Sequence, residues 1–294
     1  MAVEFGQRLT HGDIENVPQN WLKFRKYDGH SAIWLPSTQD LSAGISGLWS
    51  LGRSSGPKPI AVPKVWLYGL PMDMALHGEL WADDDRPQTV SSALKKSPSI
   101  MDWKRLKLVV FAFPKDDWFD PNDETTWSNI ENDTYWYDAR RKLECLDLPQ
   151  DGRRILLPTP TNESVVPLDW EGMVFQNPNA QYRIGRSKDV QKFKPYYDDE
   201  ATVVGYEDGK TGARIGTTGA LIVDYIRREK ILSIHGCPSD LVIGSTVRFK
   251  VSGLNESEWN DAETAYPIGS EVKFKFLSLS NKGTPMHCSV FREE

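Results

Sequence analysis

The chain has 294 residues, 39% hydrophobic and 26% charged, enough for about two domains and an ample buried core. Its formal charge of −6, from 35 Lys and Arg against 41 Asp and Glu, excludes a surface that is positive throughout; acidic runs such as Asp83-Asp84-Asp85 and Asp198-Asp199-Glu200 still leave room for local basic stretches. With no signal-like N-terminal progression, no apolar run of membrane-spanning length and three scattered cysteines, the expectation is a cytoplasmic protein of a reducing compartment, without a membrane partner.

In chain order, the first marked segment is Lys26-Tyr27-Asp28-Gly29, where Asp-Gly signals a tight turn beside a lysine. Gly52-Arg53-Ser54-Ser55-Gly56 is a Gly/Ser-rich loop whose arginine fork suits bidentate phosphate binding. Pro63 and Gly69-Leu70-Pro71 punctuate the chain before His77-Gly78-Glu79-Leu80-Trp81, a strand-like run carrying a glutamate. Helix-like stretches span Gln88 to Lys96 and Tyr135 to Leu146, the second carrying the basic cluster Arg140-Arg141-Lys142. Leu106 to Phe113 has the continuous apolar character of a buried strand.

Glu171-Gly172-Met173-Val174-Phe175 is followed by Tyr182, Gly185-Arg186-Ser187 and Lys192-Phe193-Lys194-Pro195. In an extended segment, Lys192 and Lys194 would point to the same face. Pro195 to Glu200 has the composition of a hinge. Beyond it, short β-rich runs at Thr202 to Tyr206, Ala220 to Tyr225, Ile231 to His235, Thr246 to Val251, Glu271 to Leu277 and Ser289 to Phe291 suggest a small barrel of the OB-fold kind, with any small β-domain as the alternative. His235-Gly236-Cys237 and His287-Cys288 lack Cys-x-x-Cys spacing, so structural roles are preferred over a zinc site.

Taken in this order, the segments resemble the nucleotidyl-transfer motifs of minimal ATP-dependent DNA ligases, members of the covalent nucleotidyltransferase superfamily, from about Trp21 to Arg292. The resemblance implies an α+β fold: an antiparallel-sheet nucleotidyltransferase (adenylation) domain over residues 1–197, then a small all-β OB-fold domain over 198–294. It makes Lys26 the nucleophile that carries AMP, with Lys192 and Lys194 neutralising the triphosphate and Arg53 gripping phosphate. Glu79 lies by the ribose and, with Glu171, takes Mg²⁺ or Mn²⁺; Phe111 stacks on adenine. Arg183, Arg186, Lys188 and Arg292 are the DNA-contact candidates. The implied activity is nick sealing in duplex DNA by a monomer that uses ATP, in replication, repair or recombination.

The chemistry asks for these residue types. An amine can hold AMP as a phosphoramidate, but an ammonium cannot attack, so Lys26 must lose its proton. A hard cation characteristically bridges carboxylates and phosphates. The chain departs from the ligase pattern at Ser31, where K-x-D-G-x-R carries arginine, and at His77, which replaces the aspartate of Asp-Gly-Glu-Leu-Trp. An RNA ligase or a capping-type guanylyltransferase shares the lysine chemistry. A catalytically idle nucleic-acid-binding relative is the alternative from another class.

Overall fold

The structure is a computed structural model that describes residues 7–12, 14–51, 57–114, 140–141, 143–145, 154–183, 185–210, 212 and 215–292. The fold is mixed α/β with mainly antiparallel sheets, in two compact units, Met1–Phe193 and Lys194–Glu294.

The first unit holds strands β1 (Gln7–His11), β2 (Leu22–Lys26), β3 (His30–Trp34), β4 (Leu48–Leu51), β5 (Pro57–Pro59), β6 (Leu76–Ala82), β7 (Leu106–Ala112), β8 (Ile155–Leu156), β9 (Gly172–Gln176) and β10 (Gly185–Phe193). A four-stranded sheet has the order β1-β10-β9-β2, and a six-stranded sheet the order β5-β4-β3-β6-β7-β8. Two pairings, β1 with β10 and β7 with β8, are parallel; the other pairings within these sheets are antiparallel.

β6 sits between β3 and β7, which explains its nearly continuous burial rather than an alternating pattern. Leu76, Leu80, Leu106 and Leu108 are fully buried in this region, each such side chain contributing about 1.5–3 kcal/mol of transfer free energy. The motif glycines have a steric reason. A Cβ at Gly78 would meet the Val109 carbonyl oxygen at 2.2 Å, and one at Gly29 would meet the Leu80 carbonyl oxygen at 2.0 Å. The first lets β7 pack close to β6, and the second brings the turn after β2 against β6.

The expected helix at 88–96 is observed as Pro87–Lys95, opened by proline and held down through buried Val90 and Ala93. Short helices Lys64–Leu67 and Ile100–Trp103 meet through Trp66 and Trp103, whose rings are 5.0 Å apart in an edge-on arrangement. Of the expected helix at 135–146, residues 140–141 and 143–144 are helical; most of the remainder, with Lys142, falls outside the described residues.

The second unit contains β11 (Tyr197–Asp208), β12 (Thr218–Ile226), β13 (Thr246–Val251), β14 (Glu271–Phe276), β15 (Ser278–Leu279), β16 (Pro285–Met286) and β17 (Ser289–Val290). Its main sheet is five-stranded, in the order β13-β12-β11-β14-β17, around a core that includes Val223, Tyr225, Phe274 and Phe276. Two local expectations are corrected. Ile231 to His235 is not a strand: Glu229–Ser233 is a 3-10 helix, and Ile231 and Ile234 are buried at three-residue spacing. Asp198-Asp199-Glu200 is not a hinge, because β11 already runs through it, paired with β14. Asp199 is buried there, accepting from the Tyr225 hydroxyl at 2.8 Å and lying 2.9 Å from Arg228 Nη1 and 3.3 Å from Lys230 Nζ. Among the described residues, no helix is long and apolar enough to cross a membrane.

Candidate active site

Lys26 ends β2, and its Cα partner across the ladder is Gly172 at the start of β9. This pairing sets Lys26 Nζ 2.5 Å from Glu171 Oε2, with the two side chains 14% and 5% exposed. Glu79 on β6 adds a third charged group, and the Gly29 N–H donates to its carboxylate. Burial pulls the Lys26 ammonium down, but Glu171, Glu79 and Asp28 outweigh it and hold its pKa above the usual lysine value. Burial pushes Glu79 up to about 7, reinforced by Glu171 and Asp28 and opposed by Lys26.

Beside this charged cluster opens a pocket lined mostly by apolar side chains, among them Phe24, Val174 and Phe111, with Arg25, Tyr27 and Gln176 as further polar lining. Phe24, on β2, is the Cα partner of Val174 on β9, so their side chains share one face of the four-stranded sheet. Phe111 approaches from β7 of the other sheet. An aromatic ring and a branched aliphatic chain thus both border the pocket, with an amine and two carboxylates at its edge.

No family model matches the chain. A curated DNA ligase from Haemophilus influenzae is 26% identical to it over 296 residues, spanning 97% of this chain and 91% of that protein. The chain is thus similar to a DNA ligase along nearly its whole length. Its fold is also that of a solved structure from a structure–function study of Lig E DNA ligases and DNA binding with a minimal scaffold, with a TM-score of 0.68, 21% identity and 99% of each chain covered. A second solved structure, Pmar-Lig_Pre, gives a TM-score of 0.66 at 13% identity over 99% of this chain and 66% of its own.

The fold brings together Lys26, Glu79, Phe111 and Glu171, all of which were singled out from sequence. Lys192 on β10 is the Cα partner of Val174, so it lies on the Lys26 face of the sheet. Lys194 does not share the strand with it. β10 ends at Phe193 and Pro195 cannot donate to a ladder, so Lys194 opens the second unit. Arg53 falls outside the described residues.

Arg183, Arg186 and Lys188 are exposed, as a phosphodiester contact requires. Arg292 is exposed too, but its guanidinium is engaged within the second unit, by the Glu258 carboxylate and the Gly253 carbonyl oxygen. Arg25 pairs with Asp85, and its guanidinium carbon lies 5.1 Å from the centre of the Tyr27 ring.

The lining residues not picked out from sequence as site residues include Tyr27, Val174 and Gln176. The strand alternation through Glu171-Gly172-Met173-Val174-Phe175-Gln176 was the available signal, since it puts Gly172, Val174 and Gln176 on one face.

Proposed function

We propose that this protein is an ATP-dependent DNA ligase that seals nicks in duplex DNA through a lysyl-AMP intermediate on Lys26. The carrying observation is the placement of Lys26, 2.5 Å from Glu171, at the edge of a pocket bordered by Phe111 and Val174. In that pocket the adenine of ATP lies against Phe111, and the α-phosphate faces Lys26.

In the first step, the Lys26 Nζ–P bond forms as the bond from Pα to the pyrophosphate oxygen breaks, and the nitrogen gives up its protons. Glu171 already accepts a hydrogen bond from Nζ and is the positioned acceptor. In the second step, a 5′-phosphate oxygen displaces Lys26 from AMP, and the amine regains its protons. The carboxylates that make the first deprotonation costly therefore favour Lys26 as a leaving group in the second. In the third step, the 3′-hydroxyl attacks the activated 5′-phosphate and AMP departs, with attacking and leaving oxygens in line.

Glu79 and Glu171 are the residues that would hold Mg²⁺ or Mn²⁺: both act electrostatically on Lys26, and two carboxylates completed by phosphate oxygens make a donor set suited to a hard cation. Such a cation neutralises charge on the phosphate oxygens. Lys192 adds positive charge on the same sheet face. The second unit serves as an OB-fold clamp on the duplex; its small five-stranded sheet of mostly short strands supports that reading. The active species is a monomer.

Incubation with α-labelled ATP and Mg²⁺, followed by mapping of the adduct and a nick-sealing assay, tests the proposal. AMP on Lys26 with sealing of nicked duplex DNA is the expected result. Transfer of GMP instead points to capping chemistry, and better joining of RNA ends than of nicked DNA replaces DNA ligase with RNA ligase.

A further inference from the structure

The pocket has a direction. From the Lys26↔Gly172 pair to the Leu22↔Gln176 pair, β2 and β9 run together for four residues, which at about 3.3 Å per residue is roughly 13 Å. That is close to the span from the α-phosphate of a nucleotide to the far edge of its base. Gln176 lies at the end away from Lys26, on the same face as Val174, and lines the pocket although it is only 6% exposed. The other polar lining groups, Arg25, Lys26, Tyr27 and Glu79, belong to the β2 turn or to β6 at the charged end. The Gln176 amide is therefore the polar lining group placed to meet the far edge of a bound base.

We infer that Gln176 reads the 6-amino edge of adenine. A carboxamide offers one acceptor and two donors, so its carbonyl accepts from the exocyclic amine while its NH₂ donates to the adjacent ring nitrogen. Phe111 and Val174 border the base on the way to that edge, and Gln176 closes the far end. This rests on the nucleotide-transfer reading above and adds to it the group that selects the base.

The test compares the rate of covalent labelling by ATP with that by purine riboside triphosphate, which lacks the 6-amino group, at subsaturating nucleotide. Wild type favours ATP by roughly 10- to 100-fold, the range of a bidentate base contact. In Gln176→Met, similar in shape but without the amide, that ratio falls toward one, because removing the amide and removing the amine delete the same contact. A Gln176→Met protein with an unchanged melting temperature and the wild-type ratio overturns the inference. So does wild type labelled equally well by both nucleotides, a result that needs no variant to fold. Gln176→Glu, which keeps the acceptor for the amine and loses the donors to the ring nitrogen, slows labelling by both nucleotides and keeps the preference for ATP; a ratio near one there also counts against the inference. If wild type accepts no AMP from ATP at all, the ligase reading itself falls, a distinct outcome.

Discussion

Ser31 and His77, the two departures from the ligase motifs, touch each other: Ser31 Oγ lies 3.4 Å from His77 Nε2 across the β3–β6 ladder. The other ring nitrogen, Nδ1, is 3.1 Å from the Tyr182 hydroxyl, and the ring centre is 4.9 Å from that of Phe111. Burial pushes His77 down to about 3, so at neutral pH the ring has one donor nitrogen and one acceptor nitrogen. The replacements form a neutral hydrogen-bonded chain behind the wall of the pocket rather than two separate losses.

Replacing His77 by Ala leaves a cavity in a fully buried position and strands two hydroxyl partners, at a cost of about 2–4 kcal/mol. Ser31→Ala loses one long hydrogen bond and costs about 1 kcal/mol or less. Chemical denaturation should rank them in that order, and the KM for ATP should rise in His77→Ala as Phe111 loses its support. Equal stability of the two variants would refute this account of the network.

Lys26→Ala and Lys26→Arg should both abolish the AMP adduct. A methyl group offers no nucleophile, and a guanidinium stays protonated. Mass spectrometry of the labelled protein decides the matter. An adduct retained in Lys26→Arg would show that another residue carries AMP.

Glu171→Ala removes the carboxylate hydrogen-bonded to Lys26 Nζ and should slow single-turnover adenylyl transfer by at least about a hundredfold, the scale of a preorganised electrostatic partner. A near-normal rate would mean that Glu171 only packs beside the lysine.

Glu79 gives a pH dependence with a definite sign. Its folded pKa of about 7 lies above its ordinary 4.5, so the folded protein holds this proton more tightly than the unfolded chain does. The associated stability is complete below the ordinary value and is lost as pH rises through about 7. Glu79→Gln removes the loss, so its melting temperature minus that of wild type should increase between about pH 5 and pH 8. A pH-independent difference would contradict the shift.

A fragment ending at Pro195 retains every residue that lines the pocket. It should bind nicked DNA much more weakly than the full chain in gel-shift titrations, while still forming some adduct. Binding by the full chain should weaken steeply with added salt as phosphate contacts release counterions, despite the net acidic charge. Undiminished sealing by the fragment would remove the clamp role from the second unit.

The chemical residues were legible because each motif couples an unusual side chain to a local constraint. Gly29, three residues after Lys26, and Gly78, next to Glu79, are glycines that close strand approaches require, and Glu171 directly precedes a glycine. Val174 and Gln176 carried no such mark, and their role appears only once β9 pairs with β2 and the other sheet supplies Phe111. Asp199 misled for a related reason. An acidic run has the composition of a linker, whereas the partners that let it be buried, Tyr225, Arg228 and Lys230, come from a later strand and the segment after it. Ile231 and Ile234 gave an apolar run too short for periodicity to separate a strand from a helical turn.

The hydrogen bond between Lys26 and Glu171 joins residues 145 positions apart. Closing so large a loop is slow compared with forming hairpins, so β2 waits for β9 during folding. A nascent chain that has emerged only as far as β8 contains the amine but not the strand that sets its protonation and frames the base. Under the proposed function, the ability to take up AMP is thus acquired only after β9 has been made.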